Sequence, residues 1–197
     1  MSVKVLNLRH HEVRRTRQHK ALQGLPVMAR GVFSAVFDKG DTVLKLTTDP
    51  ITYALLSDPV LSRDPHFPKV HKRHGIVGKQ GNVFLYLLEM EKLRSISCYK
   101  RESRLLEPLL HNYENTTAMH KVFHEGRNWT AEDDALWLVR EAEAGIYDKG
   151  FSRALIKLAD FVQNFEAVLD LHWGNIMVRP GRKRSVVFSD PVFNSEL

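Results

Sequence analysis

Cysteine is nearly absent from this chain of 197 residues, since Cys98 is its one cysteine. A single thiol excludes an internal disulfide and a cysteine-based metal cluster, and such usage is typical of a reducing cytoplasm. Long apolar runs are also missing, because no stretch reaches the roughly 18 apolar residues of a membrane span. The basic N-terminal region lacks the apolar core of a secretory signal. We therefore expect a cytoplasmic protein with no membrane partner.

The composition is that of a folded chain of about one domain. Its 197 residues compare with roughly 150 for a typical domain, which leaves room for a small second lobe. Hydrophobic residues make up 43% and charged residues 26% of the sequence, close to the globular average. The formal net charge is +6, which is compatible with polyanionic partners, although charge alone identifies none of them.

Two stretches of different character make up the first half of the chain. Residues 1–22 are basic and rich in histidine, which is typical of an extended arm or a polar helix. Residues 23–91 contain short β-rich runs, a helical run at 51–56 and turns around 38–41 and 78–82. Within this second stretch we expect strands at 27–29, 36–37, 42–46, 67–71 and 83–88.

The third stretch, 92–197, has mainly helical periodicity in its first part. We expect one helix to end near residues 111–112 and another to begin at Ser152. Between them, a helix is expected to start where Thr130 provides the N-cap and Asp133 lies at the third helical position.

A hairpin follows the helices. Its strands are expected at 176–178 and 186–188, joined by a turn at 179–184 that carries four basic side chains. These cations either contact nucleic acid or acidic substrate segments, or are simply solvated. The order of elements predicts an α+β fold with a β-rich first half.

Three polar side chains around this hairpin form the strongest candidate site. Asp170 and Asn175 lie five residues apart in the run Asp-x-His-x-x-Asn, and Asp190 follows the second strand. Phosphoryl transfer needs a carboxylate that orients the attacking hydroxyl and hard oxygen ligands for the Mg²⁺ held by nucleotide phosphates. The spacing therefore predicts that the three side chains converge for this chemistry. His172, between them, is expected to brace the loop by a hydrogen bond.

A second candidate site lies in the β-rich stretch. The run 29–36 overlays the nucleotide-covering pattern G-x-G-x-x-G-x-V, with small residues where backbone must approach phosphate closely. Lys45 lies nine residues after Val36 on the next strand, from which its ammonium can reach the α- and β-phosphates. The simpler alternatives are a β-turn that needs Gly31 and a solvated lysine on a strand edge. The candidate nucleotide-contacting residues are Ala29, Gly31, Phe33, Ser34 and Val36.

Taken together, the two motif blocks resemble a known family. Their order over residues 25–193 resembles the small, early-expressed serine/threonine protein kinases of short-tailed bacteriophages. The run from Asp170 to Asn175 is also similar, more distantly, to aminoglycoside and choline phosphotransferases. The resemblance implies a minimal two-lobed protein-kinase-like fold, with a β-rich N-lobe at 23–91 and a short helical C-lobe at 92–197.

The resemblance also implies ATP and Mg²⁺ as cofactors and a role for each site residue. The expected roles are a catalytic base at Asp170, Mg²⁺ ligands at Asn175 and Asp190, a phosphate-binding lysine at Lys45, and an adenine-contacting hinge at Glu89 and Glu91.

The implied activity is ATP- and Mg²⁺-dependent phosphorylation of serine or threonine on host proteins, early in phage infection and in the host bacterial cytoplasm. The family is associated with host shutoff, and host transcription machinery such as RNA polymerase is among the implied partners. Two alternatives stay open. One is a non-catalytic, kinase-derived protein that binds and inhibits a host partner, and the other is a small-molecule phosphotransferase.

Several departures from the family pattern bear on these expectations. Val-Leu precedes Asp170 where protein kinases carry His-Arg, and Pro-Val follows Asp190 in place of Phe-Gly. Only seven residues follow Asp190, so we expect no regulation by an activation loop. The helical run 51–56 contains no acid to pair with Lys45. The remaining candidate partners of that lysine are Asp49, Asp58 and Glu89.

Overall fold

Strands fill the first part of the chain and helices most of the second, so the fold is α+β. The structure is a computed structural model that describes residues 5–123 and 128–194. The chain divides into two compact units. The first takes the described residues up to Ser62 together with Pro68–Lys92, and the second takes Arg63–Phe67 and the described residues from Leu93 onward. None of the helices in these ranges is long and apolar enough to cross a membrane.

The first unit is built on a five-stranded antiparallel sheet. Its strands are β1 (Val27–Arg30), β2 (Ser34–Asp38), β3 (Thr42–Thr47), β4 (Val70–Gln80) and β5 (Val83–Glu91). The order in the sheet is β1-β2-β3-β5-β4. Two helices accompany the sheet, α1 (His11–Thr16) and α2 (Pro50–Ser57). The strands expected at 27–29, 36–37, 42–46 and 83–88 and the helix expected at 51–56 are confirmed.

The strand β4 (Val70–Gln80) differs from the strand that was expected at 67–71. It begins at Val70 and continues through most of the predicted turn at 78–82 as far as Gln80, so that only Gly81 and Asn82 form the turn. Three register shifts interrupt its pairing with β5. Each shift reverses which face a side chain points to, so the apolar alternation that marks a strand in sequence is lost.

One face of the sheet is covered by the N-terminal segment. Leu6, Val13 and Leu22 are at most 8% exposed and belong to a single core cluster with residues of β2, β3 and β5. The described part of 1–22 therefore packs against the core of the first unit and contains the short helix α1. Its apolar side chains are too widely spaced to form a periodic pattern. Their partners on the sheet are Ala35, Phe37, Leu44, Leu46, Leu85 and Leu87.

The described residues of the second unit hold α-helices and two small antiparallel sheets. The helices are α3 (Lys100–Phe123), α4 (Ala131–Glu143) and α5 (Lys149–Phe165). The strands are β6 (Arg94–Ser95), β7 (Val168–Leu169), β8 (Ile176–Arg179), β9 (Ser185–Phe188) and β10 (Val192–Phe193). One sheet has the order β6-β8-β9, and β7 pairs with β10 in the other. The hairpin expected at 176–178 and 186–188 is confirmed as β8 and β9.

Capping side chains set where the helices of this unit begin. Thr130 and Asp133 form the reciprocal capping box expected at the start of α4. The helix α5 begins three residues earlier than predicted, because the Asp148 carboxylate accepts hydrogen bonds from the Gly150 and Phe151 amides. The helix α3 runs well beyond the predicted end near 111–112, because its second half is polar and carries no periodic apolar signal.

Candidate functional site

Asp170 and Asp190 are brought together by strand pairing in the second unit. Asp170 directly follows β7, and its amide donates to the Pro191 carbonyl at 2.7 Å. In the same small sheet Leu169 pairs with Val192. The chain just after Asp190 therefore runs antiparallel to the chain just before Asp170. The negative charge of Asp190 is one of the influences that raise the pKa of Asp170.

Asn175 closes the loop that Asp170 opens. Its Nδ2 donates to the Asp170 carbonyl at 3.0 Å and to Asp170 Oδ2 at 2.7 Å. The amide and hydroxyl of Ser189 both donate to the Asn175 carbonyl at 2.9 Å, which ties the loop to the residue before Asp190. Because Nδ2 is directed at Asp170, Oδ1 is the side-chain atom of Asn175 that can act as a cation ligand. Asp170 and Asn175 are thus hydrogen-bonded within one loop, and strand pairing brings Asp190 close enough to influence the pKa of Asp170.

The surroundings of Asp170 shift its proton affinity. Burial raises the pKa of Asp170, while His172 and the hydrogen bond from Asn175 lower it. The side chain is still 43% exposed, so a substrate hydroxyl can reach it. His172 Nε2 lies 3.6 Å from Asp170 Oδ2, and His172 Nδ1 accepts from the Gly174 amide at 3.0 Å. The expectation that His172 braces this loop is confirmed by that hydrogen bond.

Asp134 supports the same loop and escaped the sequence analysis. It lies on α4 and is 1% exposed, and its Oδ2 accepts from the Leu169 amide at 3.0 Å. Its Oδ1 accepts from Trp129 Nε1 at 2.6 Å and from the Tyr113 hydroxyl at 3.1 Å. Burial raises the pKa of Asp134 despite these three donors. The buried carboxylate thus holds the backbone immediately before Asp170.

A signal for Asp134 is present in the sequence. It is the third of three consecutive acids in the first turn of α4, which favours a simple helix-dipole interpretation. However, it lies three and four residues before the buried Trp137 and Leu138, on the apolar face of that helix. A carboxylate on a buried face needs hydrogen-bond donors, so that position indicates a structural or positioning role.

Lys45 lies in the first unit, on the central strand β3. It is 4% exposed and faces Val36 and Leu88 on the two neighbouring strands. Because strands flank Lys45 on both sides and its side chain is buried, the alternative of a solvated lysine on a strand edge is excluded. Its ammonium is fixed to the sheet face opposite the one covered by the N-terminal segment, because Leu44 and Leu46 alternate with it along β3.

The three acids considered as partners of Lys45 occupy different positions in the first unit. Glu89 pairs in register with Leu44, so it lies on the other face of the sheet, where it accepts from Lys39 Nζ at 2.7 Å and Thr42 Oγ1 at 3.0 Å. Asp49 is 1% exposed and caps α2 through the Ile51 amide at 2.9 Å. Asp58 accepts from the amides of residues 60 and 61.

The predicted phosphate loop forms a tight turn between β1 and β2. Ala29 pairs with Val36 across the hairpin, and the Gly31 amide donates to the Ser34 carbonyl at 2.8 Å. A Cβ at Gly31 would lie 3.3 Å from Ser34 Oγ, so the turn itself favours glycine there. The Phe33 carbonyl accepts from the Thr48 amide at 2.9 Å. The loop is therefore anchored by its own hydrogen bonds.

The residues expected to contact adenine lie at the end of β5. Glu89 pairs with Leu44 on one side and Lys72 on the other, so strands flank its backbone. Glu91 pairs with Thr42, and its amide donates to the Lys69 carbonyl at 2.9 Å. A role for these two backbones in binding adenine stays a prediction.

The oxygen ligands available at the Asp170 loop suit a cation that is already bound to a substrate. Among the described residues, no group of three or more histidine, cysteine, aspartate or glutamate side chains is placed to hold a metal. One carboxylate, from Asp190, and one amide oxygen, from Asn175, are hard ligands that Mg²⁺ accepts when phosphate oxygens and water complete its shell.

Comparison of the chain with family models, curated proteins and solved structures finds no significant match.

Proposed function

We propose that this protein is a minimal protein-kinase-like phosphotransferase that moves the γ-phosphoryl group of MgATP to serine or threonine hydroxyls of other proteins. The observation that carries the proposal is the convergence of Asp170, Asn175 and Asp190 within one braced loop and its paired strand. These are the residue types that phosphoryl transfer requires, in the chain order of a catalytic carboxylate followed by two Mg²⁺ ligands.

Each side chain has a role that follows from its surroundings. Asp170, partly exposed and held by Asn175, orients the attacking hydroxyl and accepts its proton. Asn175 Oδ1 and Asp190 bind the Mg²⁺ that accompanies ATP. In the first unit, Lys45 and the loop 29–36 are the nucleotide-binding residues that the resemblance implies. Catalysis then depends on positioning and charge neutralisation.

Protein acceptors are proposed on two grounds. The motifs resemble phage kinases that phosphorylate host proteins, which makes host transcription machinery the first substrate class to test. The net charge of +6 is also compatible with acidic protein partners.

Non-catalytic binding of a host partner is the second candidate. It is favoured by the Gly31 amide, which donates within its own turn, and by the strands that flank the Glu89 backbone on both sides. Both features reduce the backbone groups that a nucleotide can use. The intact set of Asp170, Asn175 and Asp190 argues against it, since binding alone does not need these three groups.

Incubation with γ-³²P-labelled ATP, Mg²⁺ and a bacterial lysate tests the proposal. We expect labelled proteins, and a loss of labelling on the order of a hundredfold or more in Asp170→Ala and Asp190→Ala. Asp160→Ala, which removes an exposed carboxylate from α5, is the matched control and should label normally. Full labelling by folded Asp170→Ala would contradict phosphotransfer through this site. Absence of label together with capture of a host protein would favour the non-catalytic candidate.

A further inference from the structure

A groove of about 930 Å³ lies within the second unit, lined by residues that the proposed function leaves unused. One wall is the N-terminal half of α3, another is the turn that joins β8 to β9, and the third is the segment just before α5. The groove includes Pro65 and His66 at its edge.

Cations dominate the rim of this groove. Two belong to α3 and three to the turn between β8 and β9, and all five are exposed. Only Glu102 and Asp148 oppose them among the lining residues, and the Asp148 carboxylate is already used to cap α5. The five cations are Arg101, Arg104, Arg182, Lys183 and Arg184.

The interior of the groove offers an apolar surface, with one buried carboxylate beside it. Leu105 and Ile146 both line the groove, and each is 60% exposed. Glu102 is only 9% exposed, and its Oε2 has no hydrogen-bond partner in the described part of the chain. Its Oε1 lies 3.5 Å from Arg184 Nη1, and that guanidinium stacks over the Tyr99 ring at 4.9 Å. This oxygen is closed to solvent, so it contributes negative charge beside the groove rather than a contact for a ligand.

We propose that this groove binds an acidic, extended segment of a partner protein. Acidic side chains of the segment pair with the exposed arginines and Lys183, and an aliphatic side chain packs on Leu105 and Ile146. RNA fits less well, because the exposed apolar side chains are aliphatic rather than stacking aromatics, and a buried carboxylate repels phosphate. The inference goes beyond the proposed function, because binding requires neither ATP nor turnover.

Fluorescence anisotropy on the full chain tests the groove without ATP. The probe is a fluorescein-labelled peptide of alternating glutamate and leucine, compared with a lysine and leucine peptide and with oligouridine RNA. We expect the acidic peptide to bind, and binding to weaken about tenfold in the double variant Arg104→Glu with Lys183→Glu. The control, Arg14→Glu with Lys20→Glu, makes the same charge change at exposed positions of the first unit and should bind normally.

A second variant separates the groove from general electrostatics. Leu105→Ser should weaken the glutamate and leucine peptide severalfold but leave a glutamate and serine peptide unchanged, because only the former packs on Leu105. Absence of acidic-peptide binding would overturn the proposal, as would equal weakening in both charge-reversal variants. Tighter binding of oligouridine that is lost in the Arg104 and Lys183 variant would replace it with a nucleic-acid site.

Discussion

The aspartates of the second unit carry the same side chain in three different environments. Asp170 is partly exposed and Asp134 fully buried, and burial raises the pKa of both. Asp148 is exposed and accepts from the Phe151 amide, which lowers its pKa. A raised pKa suits a group that takes a proton from a hydroxyl, whereas a lowered one suits a permanent helix cap.

The pKa of Asp170 is testable without any assumption about activity. We expect ¹³C NMR titration of its carboxyl group to give a pKa above the value of about 3.9 for an unperturbed aspartate. His172→Gln should raise it further, because protonated His172 favours the ionised carboxylate. His111→Gln, an exposed histidine that does not act on Asp170, is the control. An Asp170 pKa at or below the ordinary value would contradict the burial that we describe.

Protonation of Asp170 also has a defined effect on stability. Because its pKa is raised in the folded state, this carboxyl contributes stability at low pH, and that contribution is lost as pH rises from the unfolded pKa through the folded one.

Asp134→Ala should destabilise the second unit. The change leaves the buried Leu169 amide and the partly buried Trp129 Nε1 without their acceptor, which costs about 2–4 kcal/mol in the free energy of unfolding. Urea unfolding measures the loss, and Glu143→Ala at an exposed position of α4 should stay within about 0.5 kcal/mol of the parent. Equal stability of the two variants would mean that Asp134 does not hold this loop.

At the level of elements, the capped start of α4 was easier to predict than the extent of β4. The start of α4 follows from Thr130 and Asp133, which lie within one turn of each other. The extent of β4 depends instead on its pairing with β5 and on three register shifts, which no local pattern encodes. Hydrogen bonds between residues that are close in the sequence can be predicted from it, whereas the strands that pair with one another cannot.

The contact between α1 and β4 gives a prediction at this scale. A Cβ on Gly78 would collide with Thr16 Oγ1, which donates to the Glu12 carbonyl at 3.0 Å. Gly78→Ala should therefore lower the free energy of unfolding by about 1–3 kcal/mol. The double variant with Thr16→Ala should lose less than the sum of the two single variants, since the colliding atoms are gone. Strict additivity in urea unfolding would contradict this packing of α1.

For the molecule as a whole, the most consequential feature is the N-terminal segment that covers one face of the sheet in the first unit. The strand that carries Lys45 also carries Leu44 and Leu46, whose face is closed by Leu6 and Val13. The N-terminal segment therefore supports the strand that presents the candidate phosphate lysine. Among its basic residues, Arg9, Arg14, Arg15 and Lys20 are exposed, whereas the Arg17 guanidinium lies over the Phe37 ring.

Val13→Asp tests this cover. Placing a carboxylate at a position that is 0% exposed should cost about 3 kcal/mol or more and open the apolar face of the sheet. We expect a lower urea midpoint and increased binding of an apolar dye such as ANS. Arg15→Asp, exposed on the same helix, is the control and should behave like the parent chain. Unchanged stability of Val13→Asp would show that the sheet does not depend on this segment.

Much of this protein is determined by local features of its sequence. The α+β class, the helix start at Thr130 and the hairpin at 176–178 and 186–188 follow from periodicity, capping residues and turn residues. Asp170 and Asn175 must lie in the same part of the molecule, because five residues span at most about 17 Å, but their hydrogen bond depends on the turn between them.

The tertiary structure alone decided the features that join distant parts of the chain. Asp134 reaches the amide of Leu169 across a separation of 35 residues. Leu6 and Val13 meet strands that lie later in the chain, and the proposed groove combines cations of α3 with those of the turn between β8 and β9. Such contacts depend on which surfaces pack together, and packing leaves no short-range pattern in the sequence from which it could be predicted.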